Sequence, residues 1–313
     1  MSSDAVIATN DDATICKRSA VDMGYWKDEA LASLVLSKTR KTPEINRGYF
    51  SRVASIYRLV EKFLRMSGKC QIVNLGAGFD TLFWRLKADG HHLDCYVEID
   101  VSPVTSKKIA KIRNSKALLT GIVSGESGDD IEFNVSDLHS QHFHIVSADL
   151  SNTLQVEAKL KKCGVNYGLP TLFLSECVLV YLDTPSSDSL LKWITSSFES
   201  CFFVNYEQVN LDDKFGAVMV RNLHSCGCVL AGIDSCKDKP SQTLRFLNSG
   251  CTGAHIWTLN EVYDGLPRED IERIERLEFL DEKELLVQLL EHYCLCTAWK
   301  DPKKFGFDEI DFK

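Results

Sequence analysis

The feature that most constrains the fold is a glycine turn that joins two apolar stretches in the first third of the chain. A largely apolar run at 72–75 breaks into Gly76 and Gly78, and a second run at 93–97 leads to Asp100. This order predicts a strand, a tight turn, a helix and a second strand that ends in a carboxylate. An acidic residue about 20 positions beyond such a turn holds a ribose hydroxyl in nucleotide-type sites. The segment therefore predicts a cofactor pocket.

The alternation of strand and helix patterns continues beyond this unit and predicts an α/β fold. Candidate strands lie at 71–75, 93–98, 144–148, 171–175 and 201–206, and candidate helices between them at 81–88, 102–113, 153–163 and 186–199. This order favours a Rossmann-like doubly wound sheet that is mostly parallel. A strand at 292–299 with no helix after it is expected to be an antiparallel C-terminal strand of the same sheet.

The chain has 313 residues, which fits one large domain. Residues 1–14 are small, polar and acidic, so we expect a disordered N-terminus. Residues 121–140 are rich in glycine and aspartate and predict a loop, with or without a short hairpin. The single domain, 15–313, is expected to comprise N-terminal helices at 15–69, the Rossmann-like core at 70–206, a helical insertion or lid at 207–250, and C-terminal strands and helices at 251–313.

Charge and composition exclude several classes of protein. The net charge of −8 and the pI near 5.5 disfavour binding to a nucleic acid. Neither a membrane-spanning apolar stretch nor a signal peptide is visible, so we expect no membrane association. Twelve cysteines in such a chain predict reduced thiols. These features predict a cytoplasmic location, with the nucleus as a further compartment.

Cysteine and histidine spacing gives no reason to expect a metal site. The chain has no Cys-x-x-Cys, and Cys226 and Cys228 are spaced unlike the ligands of structural zinc sites. His139, His142 and His144 include a His-x-His element at the start of a candidate strand. We interpret these histidines as ordinary loop and strand residues.

The glycine turn fits S-adenosylmethionine better than a dinucleotide. A dinucleotide site uses three glycines, and the position where a third would fall is Thr81. S-adenosylmethionine has no phosphate and carries a zwitterionic amino-acid tail, which backbone amides and carboxylates can hold. The alternative is an ordinary turn in which Asp100 caps the next helix.

Three later strand ends carry polar side chains that could face a ligand. Asp149 and Leu150 are placed to contact an adenine, although the carboxylate could instead cap the next helix. Glu176 emerges from a buried strand and is interpreted as a ligand contact, with Tyr181 either over the site or packed beside it. Glu207 ends the next strand in the same way and predicts a polar rim or a helix cap.

Five motifs are spread over nearly the whole chain: they lie at 44–49 (EINRGY), 72–80 (IVNLGAGFD), 175–181 (SECVLVY), 205–208 (NYEQ) and 276–282 (RLEFLDE). Together they resemble the leucine carboxyl methyltransferases. Enzymes of that family use S-adenosylmethionine to methylate the C-terminal leucine carboxylate of the protein phosphatase 2A catalytic subunit, which regulates assembly of the phosphatase holoenzyme. The chain ends without an added repeat domain, which resembles the protein-modifying branch and not the longer tRNA-modifying relatives.

The resemblance implies a role for each matching position. Gly76 would line the methionine moiety of the cofactor, Gly78 would belong to the same cofactor-binding turn, and Asp100 would bind the ribose. Asp149 and Leu150 would contact the adenine.

For the reacting end of the site, the resemblance implies that Glu176 holds the cofactor's amino-acid group. Arg52 would meet the cofactor carboxylate close to the substrate. Lys17 would be a substrate-side cation and Tyr181 a substrate contact. The insertion at 207–250 would help to form the groove for the phosphatase tail.

An α-carboxylate acceptor explains why no general base stands out in the sequence. Its ordinary pKa is about 3.3–3.7, so it is ionised at neutral pH and needs only positioning and desolvation. A nicotinamide oxidoreductase would require a third glycine near position 81, and a non-catalytic binding module would be expected to lack Asp100 or Glu176. A carboxyl methyltransferase with another small-molecule or protein acceptor is the closer alternative.

Overall fold

A nine-stranded sheet forms the centre of the computed structural model, which describes residues 4–36, 38–123 and 131–313. Its middle strands are almost entirely buried, as expected for strands covered by helices on both faces. The strands are β1 Gln71–Leu75, β2 Cys95–Asp100, β3 Glu132–Phe133, β4 Leu138–His139, β5 Phe143–Ser147, β6 Thr171–Glu176, β7 Cys201–Gln208, β8 Gly253–Thr258 and β9 Tyr293–Lys300.

The strand order is β3-β4-β5-β2-β1-β6-β7-β9-β8. The five strands from β5 to β7 are parallel, and β9 pairs antiparallel with both β7 and β8. The predicted α/β fold with a mostly parallel sheet and an antiparallel C-terminal strand is therefore confirmed. Because the central strands are parallel, β1, β2, β5 and β6 all end at one edge of the sheet.

Helices lie against the sheet and at its carboxyl edge. Several of their N-termini have a capping side chain; for example, Asp28 accepts a hydrogen bond from the backbone N–H of Leu31. Their bounds are α1 Asp4–Asp22, α2 Glu29–Leu34, α3 Pro43–Ser67, α4 Leu82–Ala88, α5 Ser102–Arg113, α6 Lys116–Ile122, α7 Thr153–Lys162, α8 Thr184–Ser197, α9 Lys214–Ser225, α10 Lys239–Leu247, α11 Leu259–Gly265, α12 Arg268–Glu275 and α13 Lys283–Glu291.

Two large apolar clusters occupy the opposite faces of the sheet. One contains Phe63 of α3 and Phe83 of α4, and the other contains Leu190 of α8 and Phe246 of α10. Alternate residues of the same strand enter different clusters: Ile72 belongs to the first and Val73 to the second. The sheet is thus held from both sides, which fixes the position of its carboxyl edge.

The N-terminus differs from the prediction. Residues 4–22 form one continuous helix, α1, so the expectation of disorder was wrong for residues 4–14, while residues 1–3 lie outside the described residues. The helix contacts both the sheet edge and α3: the side-chain oxygen of Asn10 accepts the backbone N–H of Phe79 at 2.7 Å, and the hydroxyl of Ser19 donates to Oδ1 of Asn46 at 2.9 Å. A contact between residues so far apart leaves no periodic apolar signal.

The interruption predicted at 121–140 is partly helical. Gly121 belongs to α6, where its missing side chain leaves room for Trp84. The short hairpin of β3 and β4 is present at 132–139. The glycines and aspartates at 125–130 lie outside the described residues. In the described part of the chain, no helix has the length and apolar character needed to cross a membrane.

Candidate functional site

A cavity of about 870 Å³ lies at the carboxyl edge of the parallel strands. This volume is in the range of small-molecule and cofactor sites. All of the site residues predicted from the sequence line it: Lys17, Arg52, Gly76, Gly78, Asp100, Asp149, Leu150, Glu176 and Tyr181.

Two sides of the cavity are built from different kinds of structure. The sheet wall consists of the glycine turn at 76–80 and the residues that end β2, β5 and β6. The helix wall consists of α1 and α3, which carry Lys17 and Arg52. The acids assigned to cofactor binding thus come from strand ends, and the cations facing them come from helices.

The glycine turn leaves no room for larger side chains at Gly76 and Gly78. Gly76 and Gly78 have φ of 62° and 53°, a region that favours glycine. A Cβ atom on Gly76 would lie 2.6 Å from the side chain of Val178. The turn can therefore bring its backbone close to a ligand, and any larger residue at position 76 would disturb both the backbone and Val178.

Asp100 fastens this turn to the end of β2. Its Oδ2 accepts the backbone N–H of Gly78 at 2.7 Å, and its Oδ1 accepts the backbone N–H of Val101 at 2.7 Å. Burial raises the pKa of Asp100, although both hydrogen bonds act to lower it. Each carboxylate oxygen has a further lone pair, so the group can still accept hydrogen bonds from a ligand.

Glu176 lies between the two cations of the helix wall. Its Oε1 contacts the Nε atom of Arg52 and lies 2.9 Å from Nζ of Lys17, which also approaches Oδ1 of Asp80 at 3.6 Å. Burial alone would raise the pKa of Glu176, but the attraction of Arg52 and Lys17 outweighs it and lowers the pKa to about 2. The cluster is ionised and holds both positive and negative charge.

Arg52 is fixed by aromatic rings as well as by its ion pair. Its guanidinium lies 4.4 Å from the ring centroid of Tyr206 and 5.2 Å from that of Tyr49. The residue is only 8% exposed. Since the planar group stacks between rings, its orientation is defined before any ligand arrives.

Asp149 and Leu150 follow β5 at the far side of the sheet wall. Oδ1 of Asp149 accepts hydrogen bonds from the backbone N–H and the hydroxyl of Ser151 at 3.0 and 2.7 Å, and these bonds lower its pKa. The N-cap of α7 is Asn152, so the helix-cap interpretation of Asp149 was wrong. The two residues line the cavity beside Ala148.

Tyr181 connects three parts of the site. It ends a 3₁₀ turn at Leu179–Tyr181 that follows β6, and its hydroxyl interacts with the side chains of Thr9 in α1 and Cys228 in the insertion. Burial raises the pKa of Tyr181. The residue therefore links the sheet wall, the helix wall and the insertion.

Glu207 does not form part of a polar rim. It is fully buried, it is absent from the cavity lining, and its Oε2 accepts the backbone N–H of Val180 at 3.0 Å. Nη1 of Arg245 lies 3.9 Å from the same oxygen. The alternative role as a helix cap also fails, because Asp213 caps α9.

Sequence reasoning assigned Lys17 and the insertion to the site but did not identify several other residues of α1 and of the insertion that line the cavity. Asn10 and Thr14 of α1 line the cavity, and so do Met219 and Leu223 of α9. No local motif marks these residues, since each acquires its place from a contact distant in sequence. The polar residues spaced three and four apart in α1 are the signal that could have indicated a helix with a polar partner.

None of the described residues that line the cavity is a histidine. Burial raises the pKa of the Cys177 thiol to about 12 and also raises the pKa values of Tyr181 and Tyr293. These groups are protonated at neutral pH and are poor proton acceptors. The arrangement suits a reaction whose acceptor has already lost its proton.

The fold and the position of the cavity define a class of protein. A solved protein from Thermobifida fusca, given as a candidate methyltransferase, matches with a TM-score of 0.51 and 12% identity, over 86% of this chain and 92% of that chain. This likeness shows the fold, a doubly wound α/β sheet.

Sequence comparison then gives the family. The profile of the leucine carboxyl methyltransferase family matches residues 5–195. Leucine carboxyl methyltransferase 1 of Rattus norvegicus is 46% identical over 311 residues, which cover 99% of this chain and 94% of that protein. The Caenorhabditis elegans protein of the same name is 42% identical, over 94% of this chain and 91% of its own length. The chain belongs to the leucine carboxyl methyltransferase family.

A more distant relative has a different name. The human tRNA wybutosine-synthesizing protein 4 is 34% identical over 94% of this chain, and the match covers 44% of that protein. Family membership makes this chain an enzyme of the methyltransferase class with S-adenosylmethionine as its cofactor.

Proposed function

We propose that this enzyme esterifies the α-carboxylate of the C-terminal leucine of the protein phosphatase 2A catalytic subunit. The observation that carries the proposal is that Lys17 and Arg52 lie side by side at Glu176, in a cavity whose buried thiol and phenols have raised pKa values. Two cations can orient a carboxylate, and that acceptor needs no base. The names of the related proteins agree with a leucine carboxylate as acceptor.

The residues of the sheet wall fit the cofactor. Asp100 has lone pairs for the ribose hydroxyls, and Asp149 with Leu150 offers a carboxylate and an apolar surface to the adenine. A zwitterionic tail suits the cluster of Glu176 and Arg52, because its ammonium and carboxylate can pair with the acid and the cation. When bound, the cofactor supplies an electrophilic methyl group on a sulfonium.

The helix wall would prepare the acceptor. Its α-carboxylate has an ordinary pKa of about 3.3–3.7 and is ionised at neutral pH. Arg52 can offer two parallel N–H groups and Lys17 a single charged donor, so together they would align one carboxylate oxygen for in-line displacement. Arg52 and Lys17 should bind the transition state more tightly than the bound acceptor, because equal binding of ground and transition states does not raise turnover.

Apolar and aromatic residues of the cavity lining would receive the leucine side chain. They include Tyr181, Leu289, Tyr293 and two residues of the insertion, Met219 and Leu223. Such a surface would favour a C-terminal leucine over a polar residue by the transfer free energy of its side chain, about 1.5–3 kcal/mol at full burial. The cytoplasmic location predicted from the sequence agrees with a phosphatase partner and stays a prediction.

The test is transfer of labelled methyl groups to the purified phosphatase catalytic subunit. We expect one methyl group per phosphatase, released by alkali as expected for an ester. A phosphatase that lacks its terminal leucine should accept none. The matched substrate ends in alanine in place of leucine, which keeps the carboxylate and removes the apolar side chain.

Three results would contradict the proposal or limit it. Labelling of the truncated phosphatase would show that the methyl acceptor is not the C-terminal leucine carboxylate. Equal rates with leucine and alanine termini would show that no apolar subsite recognises the leucine side chain. Binding of S-adenosylhomocysteine without transfer to the phosphatase would favour a carboxyl methyltransferase with another acceptor, or a non-catalytic role.

A further inference from the structure

A second group of ligating side chains lies away from the cavity, near the opposite edge of the sheet. His139 ends β4, His144 is near the start of β5, and Cys163 directly follows α7. None of the three lines the cavity. The extended chain from His144 to Asp149 spans roughly 16 Å, so the group is separate from the cofactor residues.

The three side chains converge on one point. Nδ1 of His139 lies 3.2 Å from Nδ1 of His144 and 4.0 Å from Sγ of Cys163. One ligand atom from each of the three residues lies within 4.8 Å of the other two. A tetrahedral zinc ion with Zn–N of about 2.0–2.1 Å and Zn–S of about 2.3 Å requires separations of about 3.4 Å between nitrogens and about 3.6 Å between nitrogen and sulfur. The 3.2 Å and 4.0 Å separations from Nδ1 of His139 differ from these by less than about half an ångström.

We propose that His139, His144 and Cys163 form a binding site for one zinc ion, with water as the fourth ligand. Imidazole and thiolate are the donor types that zinc prefers, and hard cations such as magnesium prefer oxygen. This proposal is independent of the proposed substrate.

The backbone holds the two imidazoles in place. β4 and β5 are antiparallel, and His139 is directly opposite His144 in their register. Directly opposed residues of an antiparallel pair have Cβ atoms about 4.5–5.5 Å apart on one face of the sheet. The pair is therefore fixed by the ladder before an ion binds, and little side-chain entropy remains to be lost.

The third ligand comes from a helix end. Cys163 is the C-cap of α7, where exposed carbonyl groups favour a nearby cation. Charges of both signs face His139. Lys162 and Lys159 disfavour a bound cation, whereas Asp137 and Glu132 favour one.

Binding would release one proton and involves no change of oxidation state. The Cys163 thiol loses its proton to solvent as the Zn–S bond forms. The imidazole that carries its proton on Nδ1 changes to the tautomer with the proton on Nε2, and each Nδ1 then donates its lone pair to zinc. The ion would fasten the β4–β5 hairpin to the end of α7.

The experiment uses the reduced full-length protein, treated with a chelator and then titrated with cobalt(II). Cobalt in such a site gives a thiolate charge-transfer band and intense visible bands typical of tetrahedral geometry. We expect one equivalent to bind, zinc to displace it, and zinc to raise the melting temperature. Cys163→Ser should abolish the thiolate band, and His139→Asn should weaken binding at least tenfold.

Matched controls distinguish this site from other thiols and imidazoles. Cys226 is an exposed free cysteine, and the side chain of His92 is 77% exposed. Cys226→Ser and His92→Asn should leave the titration unchanged. All variants should bind S-adenosylhomocysteine like the wild type, since none alters a residue of the cavity.

The proposal is overturned if the wild type shows no thiolate band with one equivalent of cobalt. It is also overturned if the band survives in Cys163→Ser or disappears in Cys226→Ser. Should Cys163→Ser fail to fold, His139→Asn decides the matter, because position 139 is less buried than position 144 and asparagine keeps a polar side chain there. Unchanged affinity in that variant would exclude the site.

Discussion

Two glutamates, Glu176 at the end of β6 and Glu207 near the end of β7, lie on neighbouring strands, and their pKa values are shifted in opposite directions. Glu176 contacts Arg52 and Lys17, and its pKa is lowered to about 2. Glu207 is sealed from the cavity, its nearest cation is Arg245 at 3.9 Å, and burial raises its pKa to about 7. The same strand-end signal in the sequence thus gives one charged acid in the cavity and one buried acid outside it.

The difference arises from what covers each strand end. The helix wall brings two cations to Glu176, whereas the 3₁₀ turn at Leu179–Tyr181 and α10 close over Glu207. A carboxylate pays the full desolvation cost unless a partner approaches closely. A strand-end acid is therefore a candidate ligand contact where the strand opens onto a cavity that also holds cations.

The largest expected effect tests the cation side of this comparison. Arg52→Lys keeps the charge but loses the planar group that stacks between Tyr49 and Tyr206. We expect kcat/KM for phosphatase methylation to fall about 100-fold, the consequence of losing charge-assisted hydrogen bonds at the reacting centre.

The matched control for Arg52→Lys lies on the same helix. Arg58 pairs with Asp270 outside the cavity, and Arg58→Lys should stay within about twofold of the wild type. Steady-state kinetics of both variants provide the measurement. Equal activity of Arg52→Lys and the wild type would remove Arg52 from the mechanism.

The second prediction concerns the buried acid. Because the pKa of Glu207 is raised from 4.5 to about 7, the folded protein binds a proton there that the unfolded chain has released. The free energy of unfolding should therefore fall as pH rises from about 4.5 to about 7. Glu207→Gln should remove this slope, a change of about 1–3 kcal/mol.

Glu176 should show the opposite sign. With its pKa lowered to about 2, its contribution to stability is present above about 4.5 and is lost as pH falls towards 2. Melting temperatures of the wild type, Glu207→Gln and Glu176→Gln between pH 3 and 8 separate the two cases. If the melting temperature of Glu207→Gln changes with pH between 5 and 7 as that of the wild type does, the pKa of Glu207 is not raised.

The third prediction extends the comparison to the end of β2. Asp100→Asn can still accept the N–H of Gly78 or Val101 but loses the charge and one acceptor oxygen. We expect binding of S-adenosylhomocysteine to weaken about tenfold, measured by calorimetry. Asp281→Asn, an exposed change in a loop, is the control and should bind normally. Equal affinities would show that Asp100 only fixes the turn.

The sheet wall could be predicted from the sequence because its signals are local. Asp100 and Glu176 each follow a buried apolar run, and Gly76 and Gly78 stand between a strand and a helix. These patterns fix which edge of the sheet carries the site, since parallel strands end together.

The helix wall could not be predicted in the same way. Lys17 reaches Glu176 across 159 positions of sequence, and Asn10 reaches Phe79 across 69. Such contacts exist only after the fold has formed, so a polar helix like α1 has no core-facing stripe that identifies it. Lys17 and Arg52 were assigned through the family resemblance, and Asn10 was missed.

The smallest expected effect probes this missed wall. Asn10→Ala removes the side-chain acceptor of the Phe79 N–H, which lies beside Gly78 in the glycine turn. Loss of one partly buried hydrogen bond costs about 1 kcal/mol, so the affinity for S-adenosylhomocysteine should fall about fivefold. Asp4→Ala, at the exposed start of α1, tests whether general fraying of the helix has the same effect, and we expect less than a twofold change. If both variants bind like the wild type, α1 covers the cavity without supporting the turn, and the sheet wall alone determines cofactor affinity.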